Sequence, residues 1–138
     1  EIICLKNMGH NFKNNNRTDI ILTVSDVKSD VPFERLGEFD IITKLKLTLS
    51  EMLCGFEKNV NHIDGKELKI SYNNSTKPGQ KIILKNEGMK YNESHIGNLI
   101  FEIELIWQDV NLSIETKSVI YEIFNGKRLN ENIISNLE

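Results

Sequence analysis

A chain of 138 residues with 39% hydrophobic and 27% charged residues has the profile of a folded globular protein and excludes wholesale disorder. Its net charge of −3 argues against a nucleic-acid surface, which leans on clustered Lys and Arg, and no apolar run is long enough for a membrane span or shaped as a signal peptide. Cys4 and Cys54 lie in apolar runs outside any CxxC or Cys/His cluster, and His10, His62 and His95 have no partners at metal-ligand spacing, so we expect buried thiols in a reducing, cytoplasmic setting and no cofactor.

In chain order, Ile2 to Lys6 and Asp19 to Val24 read as strands flanking the polar loop "NMGHNFKNNNRT". Opening inside a strand, without Met, is what a piece of a longer protein would do. In "DIILTV", Ile20, Leu22 and Val24 share one face, which makes the strand at least half buried. "SDVKSDVP" is a polar connector ending near a proline, and it is the expected hinge. "FDIITKLKLTLS" sets Ile42, Lys44, Lys46 and Thr48 against Ile41, Leu45, Leu47 and Leu49, a long strand with one wet face. Ser50 is the expected cap of a short helix that Gly55 ends in a left-handed conformation.

Next come two strands around Asp64-Gly65, expected as a type I′ hairpin, since both centres of that turn need positive φ. "TKPG" makes a turn, "QKIILK" a strand, and "NLIFEIELIW" the last strand. "NLSIETKSVIYEIFNG" has the period of a helix capped by Ser113 and stopped by Asn125-Gly126. Leu112, Val119, Ile120, Ile123 and Phe124 give it a broad apolar stripe, which either docks on its own sandwich or pairs with a second copy.

Two phrases, "LKNMGH" and "LKNEGM", match in four of six positions at an offset of 79. Without a gap, the same offset puts Ile3 on Ile82, Leu5 on Leu84, Asn7 on Asn86, Gly9 on Gly88, Phe12 on Tyr91, Ile21 on Ile100 and Val24 on Ile103. A period of that length is the size of a small domain. The expected organisation is the tail of a first sandwich module over residues 1–27, a second sandwich over 28–109, and a helix with a tail over 110–138. The carboxylates are scattered along wet faces, with no nucleophile beside a base, so no enzyme is expected.

Taken together and in order, "FERLG", "LSEMLCGF", "HIDGK", "KPG", "NEGM" and "GNLIFEIEL" resemble the C-terminal substrate-binding region of DnaJ-type co-chaperones. The resemblance implies an all-β architecture of two tandem sandwiches followed by a dimerising helix. It also implies a chaperone that holds apolar segments of unfolded polypeptides and passes them to a DnaK-type ATPase, with Ile20, Leu22 and Val24 as client-contact candidates. Those three are equally read as plain core. Val119, Ile120, Ile123 and Phe124 are the dimerisation candidates, and the partner is a second copy. The sequence departs from the family pattern in two places: Lys85, Asn86 and Lys90 stand where prolines and a glycine commonly frame the turn at Gly88, and the stretch from Phe33 to Leu53 is one residue longer, which implies a looser turn near Glu38 and Phe39. Neither a J domain nor zinc repeats occur in the sequence.

Overall fold

The computed structural model describes residues 1–11, 16–25, 27 and 30–127, and the chain divides into one unit of Glu1–Pro32 and a second beginning at Phe33. Residues 12–15 of the first polar loop, which include Phe12, residues 26, 28 and 29 of the connector, and the tail from 128 onward lie outside the described residues. In the first unit, Ile2–Leu5 (β1) and Ile20–Thr23 (β2) pair antiparallel, with Ile3 opposite Leu22 and Leu5 opposite Ile20. The Glu1 ammonium donates to the Val24 carbonyl at 2.9 Å and the Val24 N–H returns to the Glu1 carbonyl at 2.8 Å, so the ladder runs to the first residue.

The second unit holds Phe33–Leu36 (β3), Asp40–Thr48 (β4), a short helix Leu49–Cys54 (α1), Phe56–Asn61 (β5), Glu67–Tyr72 (β6), Lys81–Leu84 (β7), Lys90–Asn92 (β8), His95–Ile96 (β9), Leu99–Ile106 (β10) and a helix Ile114–Asn125 (α2). Four strands form one sheet in the order β3-β4-β10-β7, whose central pair, β4 and β10, is parallel. Side chains alternate across a sheet, so the register that sets Ile41 beside Leu99 and Leu45 beside Ile103 collects one dry face. Ile41, Leu45, Leu47, Leu99, Phe101 and Ile103 are all buried on it. The β5–β6 hairpin closes the other side with Phe56 and Ile70, and Val60 and Leu68 pack at its margin. On the opposite face of β4, Lys44 and Lys46 are exposed, as the alternation in the sequence required.

The repeat is structural as well as verbal. β7 and the start of β10 pair as β1 and β2 do, residue for residue at the offset of 79: Ile82 faces Phe101 where Ile3 faces Leu22. Asn7 and Asn86 both take positive φ, 59° and 61°. Each donates its backbone N–H to the side-chain oxygen of the residue before the second strand, Asp19 at 2.8 Å and Asn98 at 3.4 Å. Gly9 donates to Thr18 and Gly88 to Gly97, at 2.7 and 2.8 Å. Both glycines are forced by space: a Cβ on Gly88 would lie 2.4 Å from the Gly97 carbonyl carbon, and one on Gly9 2.8 Å from the Thr18 carbonyl oxygen.

Several local expectations need correction. The cap of α1 is Thr48, two residues before Ser50, because a full capping box is available there: the Thr48 hydroxyl accepts from the Glu51 N–H and the Glu51 carboxylate accepts from the Thr48 N–H at 2.9 Å. Gly55 does have positive φ, but with ψ 168° it is extended rather than left-handed helical, since β5 begins at the next residue. The turn at Asp64-Gly65 has positive φ at Gly65 alone. It belongs to a loop in which the His62 N–H bonds the Lys66 carbonyl at 2.8 Å and the Gly65 N–H bonds the His62 carbonyl at 2.9 Å. The thiols of Cys4 and Cys54 are free and exposed, not buried. His62 lies in the β5–β6 hairpin loop and is 8% exposed.

Candidate functional site

Each unit carries one candidate surface. In the first, Ile20 and Leu22 of β2 and Val24 just past its end are 36, 44 and 52% exposed, and Ile3 and Leu5 of β1 pair with Leu22 and Ile20. The 79-residue register places these three on Leu99, Phe101 and Ile103, which are 1 to 2% exposed. The same strand geometry therefore carries a dry face in one module and an open apolar face in the other.

In the second unit, α2 starts where the Ser113 hydroxyl accepts from the Thr116 N–H at 3.3 Å. It stops at Gly126, left-handed at φ 66°, whose N–H bonds the Glu122 carbonyl at 2.8 Å. Both ends fall where the sequence placed them, because cap and stop are encoded locally. No residue of α2 is buried, so the stripe is not docked on its own sandwich. Val119, Ile120, Ile123 and Phe124 stand 40 to 72% exposed. Leu112, Ile120, Tyr121 and Phe124 line a shallow cavity of about 300 Å³.

A second cavity, of about 640 Å³, is lined by Leu49 and Leu53 of α1, Trp107 and Val110 of the following segment, and Leu112 and Ile120. It shares Leu112 and Ile120 with the first, so the apolar surface is continuous. Leu49, Leu53 and Trp107 were not singled out from the sequence. The signal available was the spacing of Leu49 and Leu53, which puts both on one side of a helix.

The polar constellations are structural. His62 Nε2 donates to the Glu87 carbonyl at 2.7 Å, its Nδ1 accepts from the Asp64 N–H at 3.3 Å, and Lys66 pairs with the Glu87 carboxylate. The Lys66 N–H, desolvation and the neighbouring His62 and Lys66 act together on Asp64, and the net effect holds its carboxyl below the usual range. The hydrogen bond to Glu87 pushes Lys66 up. Together these groups clasp the β5–β6 loop to the turn before β8. Among the described residues, no three His, Cys, Asp or Glu side chains are placed to hold a metal, and no helix is long and apolar enough to cross a membrane.

The β-rich unit built on β3, β4, β10 and β7, with the β7–β10 pairing repeated in β1–β2, falls within a known pattern: residues 1–107 fit the DnaJ C terminal domain, and the chain belongs to that family. Among its relatives, DnaJ homolog subfamily B member 11 of Canis lupus familiaris is 31% identical over 109 residues, covering 78% of this chain and 30% of that protein. The Mus musculus protein of the same name is 33% identical over 107 residues, covering 76% and 29%. DnaJ homolog dnj-20 of Caenorhabditis elegans is 34% identical over 93 residues, covering 66% and 26%. This chain thus spans less than a third of the length of these relatives.

Proposed function

We propose that this chain is the polypeptide-binding and dimerising region of a DnaJ-type co-chaperone, which holds unfolded clients for a DnaK-type ATPase and performs no chemistry itself. The observation that carries the proposal is an apolar stripe on α2 with no buried residue, attached to a sandwich of this family. An exposed apolar stripe on a capped helix costs free energy in water unless it meets a partner, and a second copy meets it with the same surface. We assign Val119, Ile120, Ile123 and Phe124 to that interface.

Client contact falls to Ile20, Leu22 and Val24, whose exposure supports the assignment. Burying an apolar segment there contributes roughly 25 cal/mol per Å², so each contact is weak. Two surfaces in one dimer raise the effective concentration of the second for a client held by the first. The register with Leu99, Phe101 and Ile103 favours a second reading, in which the three are core of a first sandwich and the region is an architectural dimerisation module.

Sedimentation equilibrium over a concentration series, with a permanently unfolded reporter protein added in a parallel set, separates these readings. The first predicts a dimer that carries reporter, a folded monomer for Ile123→Asp with Phe124→Asp, and loss of reporter for Leu22→Asp with the dimer intact. A dimer that never carries reporter supports the architectural reading. A double variant that remains dimeric moves the interface away from α2.

A further inference from the structure

We infer that Asn92 is an acceptor of N-linked glycan. The sequence contains five Asn-x-Ser/Thr triplets, at Asn16, Asn73, Asn74, Asn92 and Asn111, where its own content of Asn, Ser and Thr would place about two by chance. In two of the five the hydroxyl is less available: Thr76, the third residue of the Asn74 triplet, is buried, and the Ser113 hydroxyl, the third of the Asn111 triplet, caps α2. Asn92-Glu93-Ser94 is the tip of the β8–β9 hairpin; its three residues are exposed, as are those of the Asn16 and Asn73 triplets, and what singles it out is the hydrogen bonding of its turn.

The geometry of that tip suits the chemistry. The Asn92 side-chain carbonyl accepts the Ser94 N–H at 2.9 Å and lies 3.1 Å from His95 Nδ1. The turn's hydrogen bonds therefore fall on Oδ1 and not on the amide nitrogen, which is the atom that reacts. An exposed hydroxyl two residues on is what a transferase of this class reads, and Ser94 is exposed. The donor is a lipid-linked oligosaccharide pyrophosphate. A bond forms between Asn92 Nδ2 and C1 of the first sugar while the bond from C1 to the pyrophosphate oxygen breaks. Its electron pair leaves with the lipid pyrophosphate, and one amide proton passes to a base of the transferase.

On a hairpin tip the glycan projects into solvent and displaces no packed side chain. Next to Asn92 in sequence, the Tyr91 ring packs against Phe39, their centroids 5.3 Å apart. The inference sets the chain in a glycosylating lumen, against the cytoplasmic setting that its unpaired cysteines suggest.

The test is to isolate the protein from the cells that make it, release glycans with peptide-N-glycosidase in ¹⁸O-water, and map the tryptic peptides by tandem mass spectrometry. Occupied Asn92 emerges as ¹⁸O-Asp, about 3 Da heavier than Asn. The expected pattern is occupancy in the parent and in Ser94→Thr, and none in Ser94→Ala, whose circular dichroism should match the parent. An Asn92 that is unmodified in the parent, or that stays modified in Ser94→Ala, overturns the inference.

Discussion

Replacing Leu99 by alanine and, separately, Ile20 by alanine strikes the same place in the two copies of the repeat. Leu99 is 1% exposed in a cluster with Ile41, Leu45, Phe101 and Ile103. Deleting its three outer carbons removes about 2.4 kcal/mol at about 0.8 kcal/mol per buried methylene. The space left behind is walled by β-strands that relax little, which brings the loss to about 3 kcal/mol. Thermal unfolding followed by circular dichroism would then show a melting temperature lower by roughly 10–20 °C. Ile20 is 36% exposed, and its truncation should cost under about 1 kcal/mol. A loss below about 1 kcal/mol at Leu99 would refute the core as described. A loss at Ile20 equal to that at Leu99 would mean that Ile20 is buried in the working molecule, and its role as an open client surface would fall.

Gly88→Ala should destabilise the second unit by more than 3 kcal/mol, to be read by urea titration, because the added carbon meets the Gly97 carbonyl carbon at 2.4 Å and the Phe39 carbonyl oxygen at 2.6 Å. Thr48→Ala should cost about 1 kcal/mol by the same titration through loss of the cap on α1. Glu51 sits below its ordinary value of 4.5, chiefly through the Thr48 N–H and then through Lys58 against a desolvation penalty. Its contribution is therefore full above 4.5 and is lost as pH falls below that value through the depressed one, so Glu51→Gln should flatten the acid limb of a stability–pH curve there. His62→Ala, which strips a buried donor from the Glu87 carbonyl, should cost about 1–3 kcal/mol and raise amide exchange in the β5–β6 loop.

What the sequence disclosed and what it withheld divide along a physical line. Alternation fixed the dry face of β4, and Ser113 and Gly126 marked α2 to the residue, since those signals act within a few positions. The repeat aligned β1 with β7 and β2 with the start of β10 because a shared backbone path demands the same glycine and the same left-handed asparagine in both. The loop at Asp64-Gly65 was misread because the His62 side chain is drawn to a carbonyl 25 residues away, which no local pattern reports. Thr48 was legible as the start of a T-x-x-E box, but the alternation of the strand was followed past it to Leu49. The β8–β9 hairpin was missed since its strands are short and exposed and carry no alternation. Of the candidate site, the helix stripe could be read and its continuation across Leu49, Leu53 and Trp107 could not, because that surface joins residues from separate elements.

The parallel pairing of β4 with β10 also sets a timetable. A helix, two hairpins and an edge strand separate Ile41 from Leu99 in the chain, so the central ladder joins parts of the second unit that are far apart in sequence. Closing that loop spends chain entropy before any of its burial is recovered, which slows folding in proteins dominated by such contacts. During synthesis, β4 therefore waits without its central ladder partner until β10 emerges. A protein of this family is thus, for an interval of its own making, an unfolded client with an alternating apolar strand on display.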